Sequence, residues 1–283
     1  MSAAEDTVVH DETLHGCQVT TVEVRTKQAA AQLGRAAGRY ITMQMKPQSE
    51  PHDLIGCEGE CLAALLSRVF TPHFQKKLLV CGLGNPKLPA DCLGPEVVHT
   101  LPLGLTSLLG SGASAFRDVY AFIPGVYGVN KIKTDALVSG IVQACGADCL
   151  LLVDSLTADE PGQLFSEIQI STAGGTTPAS PGDSMDWAKL DLPVFSIGAP
   201  ASLPLHRLCP SAPSGEFLSS VNAAEHISRL GALIAYALIR VFWPGLTRDE
   251  CLLLAKLDRD PLPYTFPQSG MVLPPGPDDS SRI

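Results

Sequence analysis

The sequence predicts an α/β fold with a central, largely parallel or mixed sheet that is flanked by helices on both faces. Short, continuous apolar runs occur at residues 78–84, 119–123, 149–154 and 193–198, and such runs are typical of strands buried on both faces. Helical patterns separate most of these runs, as expected where crossover helices join parallel strands. In a sheet of this kind, the loops at the carboxyl ends of the strands form the ligand crevice.

The first elements of the chain predict a strand–helix–strand unit over residues 17–46. Residues 19–25 and 39–45 alternate between apolar and polar side chains, which indicates two half-buried strands. The alanine-rich residues 27–37 between them indicate a helix. This unit precedes the buried strands that are expected to carry the site.

The remaining elements follow from periodicity. Apolar residues at helical spacing predict helices over residues 54–70 and 135–145, and two long ones near the C-terminus over 220–242 and 247–257. Residues 165–171 alternate and predict an edge or mixed strand.

These elements predict one α/β domain over residues 17–258, with the catalytic core at 77–200. Residues 1–16 are polar and acidic and predict a flexible leader. Residues 259–283 are rich in proline and predict an extended tail.

Composition excludes several classes of function. The net charge is −9 and the pI about 5.2, with no lysine- or arginine-rich block, so nucleic-acid binding is not expected. The N-terminus lacks a secretory signal, and the longest uncharged run of the most apolar helix, residues 230–239, is shorter than the roughly 20 residues a bilayer requires. We expect a cytoplasmic protein that does not bind membranes.

The nine cysteines predict no metal site or disulfide framework. Two pairs, Cys57 with Cys61 and Cys145 with Cys149, are four residues apart and lack the two-residue gap common at zinc sites. No histidine lies in register with them. We predict neither a metal nor another cofactor.

Two aspartates are the candidate catalytic residues. Asp154 ends the apolar run 149–154, and Asp91 lies in the loop that follows the run 78–84. As an alternative, Asp91 could simply cap the helix that follows it, and Asp154 the turn after its strand. Two carboxylates in one crevice would instead split their ionisation, so that one accepts a proton from water while the other donates one. Amide hydrolysis without a metal or covalent intermediate needs this division of roles.

The glycines at Gly82 and Gly84 allow other interpretations, each of which lacks a required residue. A dinucleotide fingerprint needs a glycine where Lys87 stands, and a phosphate-binding P-loop needs Gly-Lys-Ser/Thr after the glycines. The run LLVCGLGNP also resembles the opening of peptidyl-tRNA hydrolases, but no suitable histidine base occurs before His99. We take the loops at the strand ends as candidate substrate-binding segments, represented by Gly84, Asn85, Gly125 and Ser155.

With these residues in view, the chain resembles the germination proteases of spore-forming bacteria. The resemblance covers most of residues 17–200 as an ordered series of segments. They are GCQVTTVEVRT, LGRAAGRYITMQM, LLVCGLGNPKLPADCLGP, FIPGVYGVNKIKTDALVSGIV, LLLVDSLTA, FSEIQIS and LDLPVFSIGAP. Their order and spacing together are highly specific.

The resemblance implies an atypical aspartic endopeptidase that cleaves small acid-soluble spore proteins during germination. It implies a fold similar to that of hydrogenase maturation peptidases and places the catalytic carboxylates at Asp91 and Asp154. It further implies a homotetramer in the cytoplasm of the forespore or spore core, made as a zymogen that loses an N-terminal propeptide.

The chain departs from the family pattern at three places. Residues 1–16 lack the family's substrate-like leader motif, so we expect no self-cleavage there. Residues 177–184 replace a His-Pro-Gly-Ser-Gly-Val-Gly-Asn stretch, and residues 199–204 contain no acidic side chain. Two alternatives therefore stay open: a hydrogenase-maturation-like, nickel-recognising peptidase, and a catalytically idle homologue that only binds spore proteins.

Overall fold

The computed structural model describes residues 6–45, 56–110, 113–174, 187–213 and 215–256. The divergent stretch at 177–184 and the proline-rich tail at 259–283 lie outside these ranges.

The described chain alternates strands and helices. The strands are β1 (Thr7–Leu14), β2 (Cys17–Val24), β3 (Gly38–Gln44), β4 (Lys77–Gly82), β5 (Asp118–Phe122), β6 (Cys149–Thr157), β7 (Glu167–Ser171), β8 (Val194–Pro204) and β9 (Phe217–Leu218). The helices are α1 (Lys27–Leu33), α2 (Cys57–Phe70), α3 (Leu93–Thr100), α4 (Leu105–Leu109), α5 (Tyr127–Asn130), α6 (Thr134–Cys145), α7 (Ala223–Phe242) and α8 (Arg248–Lys256).

One mixed sheet organises the fold, in the strand order β1-β2-β3-β7-β8-β6-β4-β5. Strands β8, β6, β4 and β5 are parallel, whereas β1, β2, β3 and β7 pair antiparallel with their neighbours. The chain leaves β4 towards β5 and leaves β6 in the opposite direction, towards β8. The topological switch point, where ligands bind in open α/β sheets, therefore lies between β4 and β6.

Helices cover both faces of the parallel half of the sheet. Apolar residues of α2, α3 and α7 form the main core with one face, including an edge-to-face contact between Phe70 and Phe116 at 5.7 Å. Helix α6 covers the other face, where Val138 and Val142 pack near Leu150 and Leu152 of β6. The α/β fold with helices on both faces is thus confirmed.

Helix α7 is the longest described helix and is buried over most of its length. Its side chains from Ile227 to Phe242 supply much of the main core. Arg240, near its end, is held by the carboxylate of Glu60 on α2 at 3.4 Å. Across the residues that the structure describes, no helix combines the length and the hydropathy needed to cross a membrane.

The expectation of a loose leader over residues 1–16 is wrong for the described part of that segment. Residues 7–14 form β1, which pairs antiparallel with β2 along its whole length. His15 and Gly16 connect the two strands with φ values of 47° and 78°. Two consecutive residues with positive φ make the tight hairpin turn that matches strand twist, so a His-Gly pair between alternating runs was the missed signal.

Several helices and strands begin or end at other residues than the sequence predicts, because tertiary pairing or backbone conformation decides these boundaries. Helix α1 stops at Leu33 rather than at residue 37, since Gly34 adopts the left-handed conformation that ends a helix. Strand β7 begins at Glu167 rather than at Phe165, whose φ is +56°. Strand β7 also lies between β3 and β8, so of the two predicted alternatives, an edge strand or a mixed strand, the edge strand is wrong.

The strands of the parallel half differ from expectation in burial and length. The run at 119–123 was expected to be buried on both faces, but β5 pairs only with β4 and its side chains are half-buried. Strands β6 and β8 both continue beyond their apolar runs, because they pair with each other as far as Thr157 and Ser202. The last residues of β8, up to Pro204, pair with β9. Asp154 therefore lies inside β6 and not at its end.

Candidate active site

The loop after β4 carries Asp91 and folds tightly against its own start. Gly84 has a φ of +113°, and a Cβ at this residue would lie 2.0 Å from the carbonyl oxygen of Asp91. Only glycine tolerates both this conformation and this approach. The next amide, of Asn85, donates to the carbonyl oxygen of Asp91 at 2.8 Å and to its Oδ2 at 3.0 Å. The Asp91 side chain is thus held in one direction.

This loop is anchored on both sides of Asp154. The amide of Leu83 donates to the carbonyl oxygen of Val153 at 2.8 Å, and the amide of Leu93 donates to the hydroxyl of Ser155 at 3.3 Å. A Cβ at Gly94 would lie 2.4 Å from the carbonyl oxygens of both Leu83 and Val153. The absence of a side chain there lets the start of α3 press directly on the end of β4 and on β6.

Asp154 occupies the point where β4 and β6 part. The last β4–β6 pair joins Gly82 and Val153, whereas β8 continues beside β6 and pairs Gly198 with Asp154. The side chain of Asp154 lies on the same face of β6 as Leu150 and Leu152. Helix α6 covers this face with apolar side chains at the two leucines, and this apolar cover ends before Asp154. The residue is only 6% exposed. Its charge adds to burial in raising the pKa of the nearby Cys81 thiol.

A cavity of about 250 Å³ opens beside Asp154, over the antiparallel half of the sheet. Its lining is mainly polar and comes from β3, β6, β7, β8, the segment after β6 and Arg35. The polar lining residues include Asp154, Asp159, Gln163, Glu167, Gln169, Ser171 and Ser196. This face of β3, β7 and β8 carries polar side chains, whereas their opposite face contributes Ile41, Ile168 and Ile197 to the main core.

The floor of this cavity contains a hydrogen-bonded group that the sequence alone did not reveal. Glu167 is 3% exposed, and its Oε2 and Oε1 accept from the side-chain amides of Gln44 at 2.8 Å and Gln169 at 2.7 Å. All three residues lie at polar positions of runs that alternate between apolar and polar side chains. The alternation did place them on one face, but nothing in the pattern joined that face to Asp154.

The Asp91 carboxyl is half-buried and electrostatically distinct from a surface carboxylate. Desolvation raises its pKa above the usual value of 3.8, and the Asn85 amide opposes part of that rise by binding the charged form. Helix α3 begins after Cys92 without any side-chain cap. The capping alternative for Asp91 is therefore wrong, because its carboxylate binds an amide inside the loop rather than a helix terminus.

The four candidate crevice residues have separate positions. Gly84 and Asn85 shape the Asp91 loop, while Ser155 accepts the amide of Leu93. Gly125 lies in the loop after β5, with a φ of +73°. None of the four is among the residues that line the cavity beside Asp154, and neither is Asp91. The structure thus places the Asp91 loop against β6, with the cavity open on the Asp154 side.

Within the described ranges, no three or more His, Cys, Asp or Glu side chains are grouped so that they could hold a metal ion.

Comparison with known proteins assigns the family. Residues 1–205 match the family model described as germination protease. Curated germination proteases from Geobacillus sp. strain WCH70 and Priestia megaterium are 29% and 28% identical over 70% of this chain and 56% of their own length. That of Bacillus subtilis is 28% identical over 65% of this chain and 53% of its own.

The match therefore spans little more than half the length of these relatives. It includes β1 to β8, the loop with Asp91 and the strand with Asp154. On the strength of this match over most of its length, the chain belongs to the germination protease family.

Proposed function

We propose that this chain is an endopeptidase that hydrolyses small acid-soluble spore proteins during germination, with Asp91 and Asp154 as an atypical aspartic pair. The observation that carries the proposal is the anchoring of the Asp91 loop on Val153 and Ser155, the two neighbours of Asp154. Both aspartates thereby lie at the switch point between β4 and β6, where this class of sheet binds its ligands.

The two carboxyl groups are suited to different roles. Burial raises the pKa of Asp91, which favours the protonated form and suits a general acid that donates to the departing amine. Asp154 borders a polar cavity with room for several waters, at about 30 Å³ each, and suits a general base that activates one of them. Water would attack the peptide carbonyl as its proton passes to Asp154.

The proposed substrates, assembly and location come from the family. The relatives are named germination proteases, which supports spore proteins as substrates. A homotetramer in the cytoplasm of the forespore or spore core is part of the same proposal. An open polar cavity fits an unfolded polypeptide better than it fits a folded partner with its own apolar interface.

The test is incubation of the purified chain with a recombinant small acid-soluble spore protein, with fragments identified by mass spectrometry. We expect a few discrete internal cleavages that persist in the presence of a chelator. Cleavage that requires added nickel would favour the hydrogenase-maturation-like alternative. Binding without cleavage would favour the idle homologue.

A further inference from the structure

We propose that Thr134 is a positioning residue whose hydroxyl donates a hydrogen bond to the Asp154 carboxylate and keeps it ionised. This inference rests on the proposed peptidase function, which it deepens by naming the group that prepares the base. It starts from the way helix α6 lies on strand β6 and from the burial of the two polar side chains.

The first step is the relative direction of α6 and β6. The helix ends at Cys145 and the strand begins at Cys149, so only residues 146–148 connect them. A connection this short makes the strand run back along the helix that precedes it. The first turn of α6 therefore lies towards the carboxyl end of β6, where Asp154 is.

The second step is the spacing along the two elements. The buried side of α6 presents about one residue per turn, namely Thr134, Val138 and Val142. The facing side of β6 presents every second residue, namely Leu150, Leu152 and Asp154. These positions repeat about every 6 Å along a helix and about every 6.6 Å along a strand. The valines and the leucines share one buried cluster, so the next position of each series, Thr134 and Asp154, falls at the same level.

The third step is the burial of these two polar side chains. Thr134 is 5% exposed and Asp154 is 6% exposed. A buried carboxylate needs hydrogen-bond donors, and a buried hydroxyl needs a partner of its own. Neither residue is without a partner in the structure. An ionised carboxylate has only acceptor atoms, whereas a threonine hydroxyl can donate, so a bond between the two satisfies both.

Cys81 of β4 supports this placement of the Asp154 carboxylate. Its thiol belongs to the same buried cluster as Val138, which lies one helical turn beyond Thr134. The charge of Asp154 acts on this thiol and adds to burial in raising its pKa. The Asp154 carboxylate is therefore close to the part of the sheet that the first turns of α6 cover.

The start of α6 favours the charged form of a neighbouring carboxyl group. Lys133 precedes the helix and makes no side-chain cap, so its first amides point towards the carboxyl edge of the sheet. Asp154 must be ionised before it takes a proton from water. Thr134 exchanges no proton in that step. It binds one carboxylate oxygen from the α6 side and leaves the other for the water on the cavity side.

The kinetic test compares Thr134→Val, which keeps the shape of the side chain and removes its hydroxyl, with the native chain on the same spore protein. The acid limb of the kcat/KM profile follows ionisation of the base, and we expect it to move up by about one pH unit. The rate on that limb then falls about tenfold, whereas the plateau changes less than about threefold. Thr134→Ser retains a hydroxyl and should restore the native profile. A lower plateau with an unmoved limb would indicate a merely structural role and would overturn the proposal.

Thr100→Val is the matched control for the loss of a buried hydroxyl. Thr100 is 9% exposed, and its hydroxyl donates to the carbonyl oxygen of Glu96 within α3 at 2.9 Å. This variant should leave the acid limb in place. The other charged or titratable groups on the elements around Asp154 are the same in every variant and cancel in these comparisons. They are Cys81, Asp91, Lys133, Asp135, Arg35, Asp159 and Glu167.

A second measurement does not depend on activity. In protein labelled with ¹³C at aspartate carboxyl groups, the Asp154 resonance is assigned by its loss in Asp154→Asn. We expect Thr134→Val to raise the titration midpoint of this resonance by about one pH unit, because the charged form loses a donor. Thr100→Val should leave the midpoint unchanged. An unchanged or lowered midpoint in Thr134→Val overturns the proposal, whatever the activity.

A third measurement uses the native chain and applies even where Thr134→Val does not fold. In ¹⁵N-labelled protein, the amide resonance of Thr134 should shift with pH at the midpoint of Asp154, and a Thr134 amide that ignores this titration overturns the proposal. A chain that cleaves nothing but shows these shifts loses the peptidase assignment and keeps the pairing of Thr134 with Asp154. Circular dichroism and thermal melting establish that each variant is folded.

Discussion

A single backbone amide, that of Asn85, donates to both the carbonyl oxygen and the carboxylate of Asp91, at 2.8 and 3.0 Å. This shared donor closes the loop after β4 and fixes the Asp91 side chain at the same time. The loop turns at Gly84 and is tied to β6 at Val153 and Ser155. The position of Asp91 thus depends on backbone geometry more than on side-chain packing.

Loss of either proposed catalytic carboxyl group should abolish cleavage without unfolding the chain. We expect Asp91→Asn and Asp154→Asn each to lower kcat/KM by at least about 10²–10⁴, the usual loss for a positioned acid or base. Asp159→Asn is the matched control, because Asp159 borders the same cavity but is exposed and paired with Arg207 at 2.6 Å. Rates should be measured by fragment quantification. Full activity in either variant with an unchanged melting curve would refute its assignment.

The raised pKa of Asp91 predicts a pH-dependent stability difference. The protonated form is favoured in the folded state, so this stabilisation is complete below the unfolded pKa of 3.8 and is lost as pH rises through the folded pKa. As pH rises through that window, the free energy of unfolding of Asp91→Asn should therefore increase relative to that of the native chain. Above the window the difference should stay constant. Urea unfolding at a series of pH values measures the difference. A constant difference at all pH values would contradict the assigned desolvation.

Gly84→Ala should damage both stability and activity. Its φ of +113° costs a non-glycine residue about 1–3 kcal/mol, and the new Cβ would displace the carbonyl of Asp91. Gly140→Ala, at an exposed position of α6 with open space around it, is the control. That change should stabilise the chain by about 0.5–1 kcal/mol. Chemical denaturation and the cleavage assay should be run on both variants. Unchanged stability and unchanged activity in Gly84→Ala would show that the loop tolerates movement.

Residues 1–16 should stay attached when the chain is incubated alone. Cleavage inside β1 requires this strand to leave its pairing with β2 and its ion pair between Glu12 and Arg68 at 2.5 Å. Intact mass measured over time between neutral and mildly acidic pH should not change. Time-dependent loss of an N-terminal peptide in the native chain, absent in Asp91→Asn, would reveal self-processing.

The sequence by itself determined the parallel core, and it predicted the loop and the strand that carry the two candidate aspartates. Continuous apolar runs are typical of strands in a sheet covered on both faces, and glycines such as Gly84 mark the tight loop that carries Asp91. Local pattern is sufficient for these features because each depends on residues adjacent in the chain.

Tertiary structure decided the lengths of β6 and β8, the interior place of β7 and the surroundings of Asp154. Each depends on which strand pairs with which, and in what register, and that is settled by contacts between residues far apart in sequence. The row from Asp154 through Gly198 to Gln169 joins three strands. No periodicity along one strand can show it, because the hydrogen bonds that create the row run across the sheet.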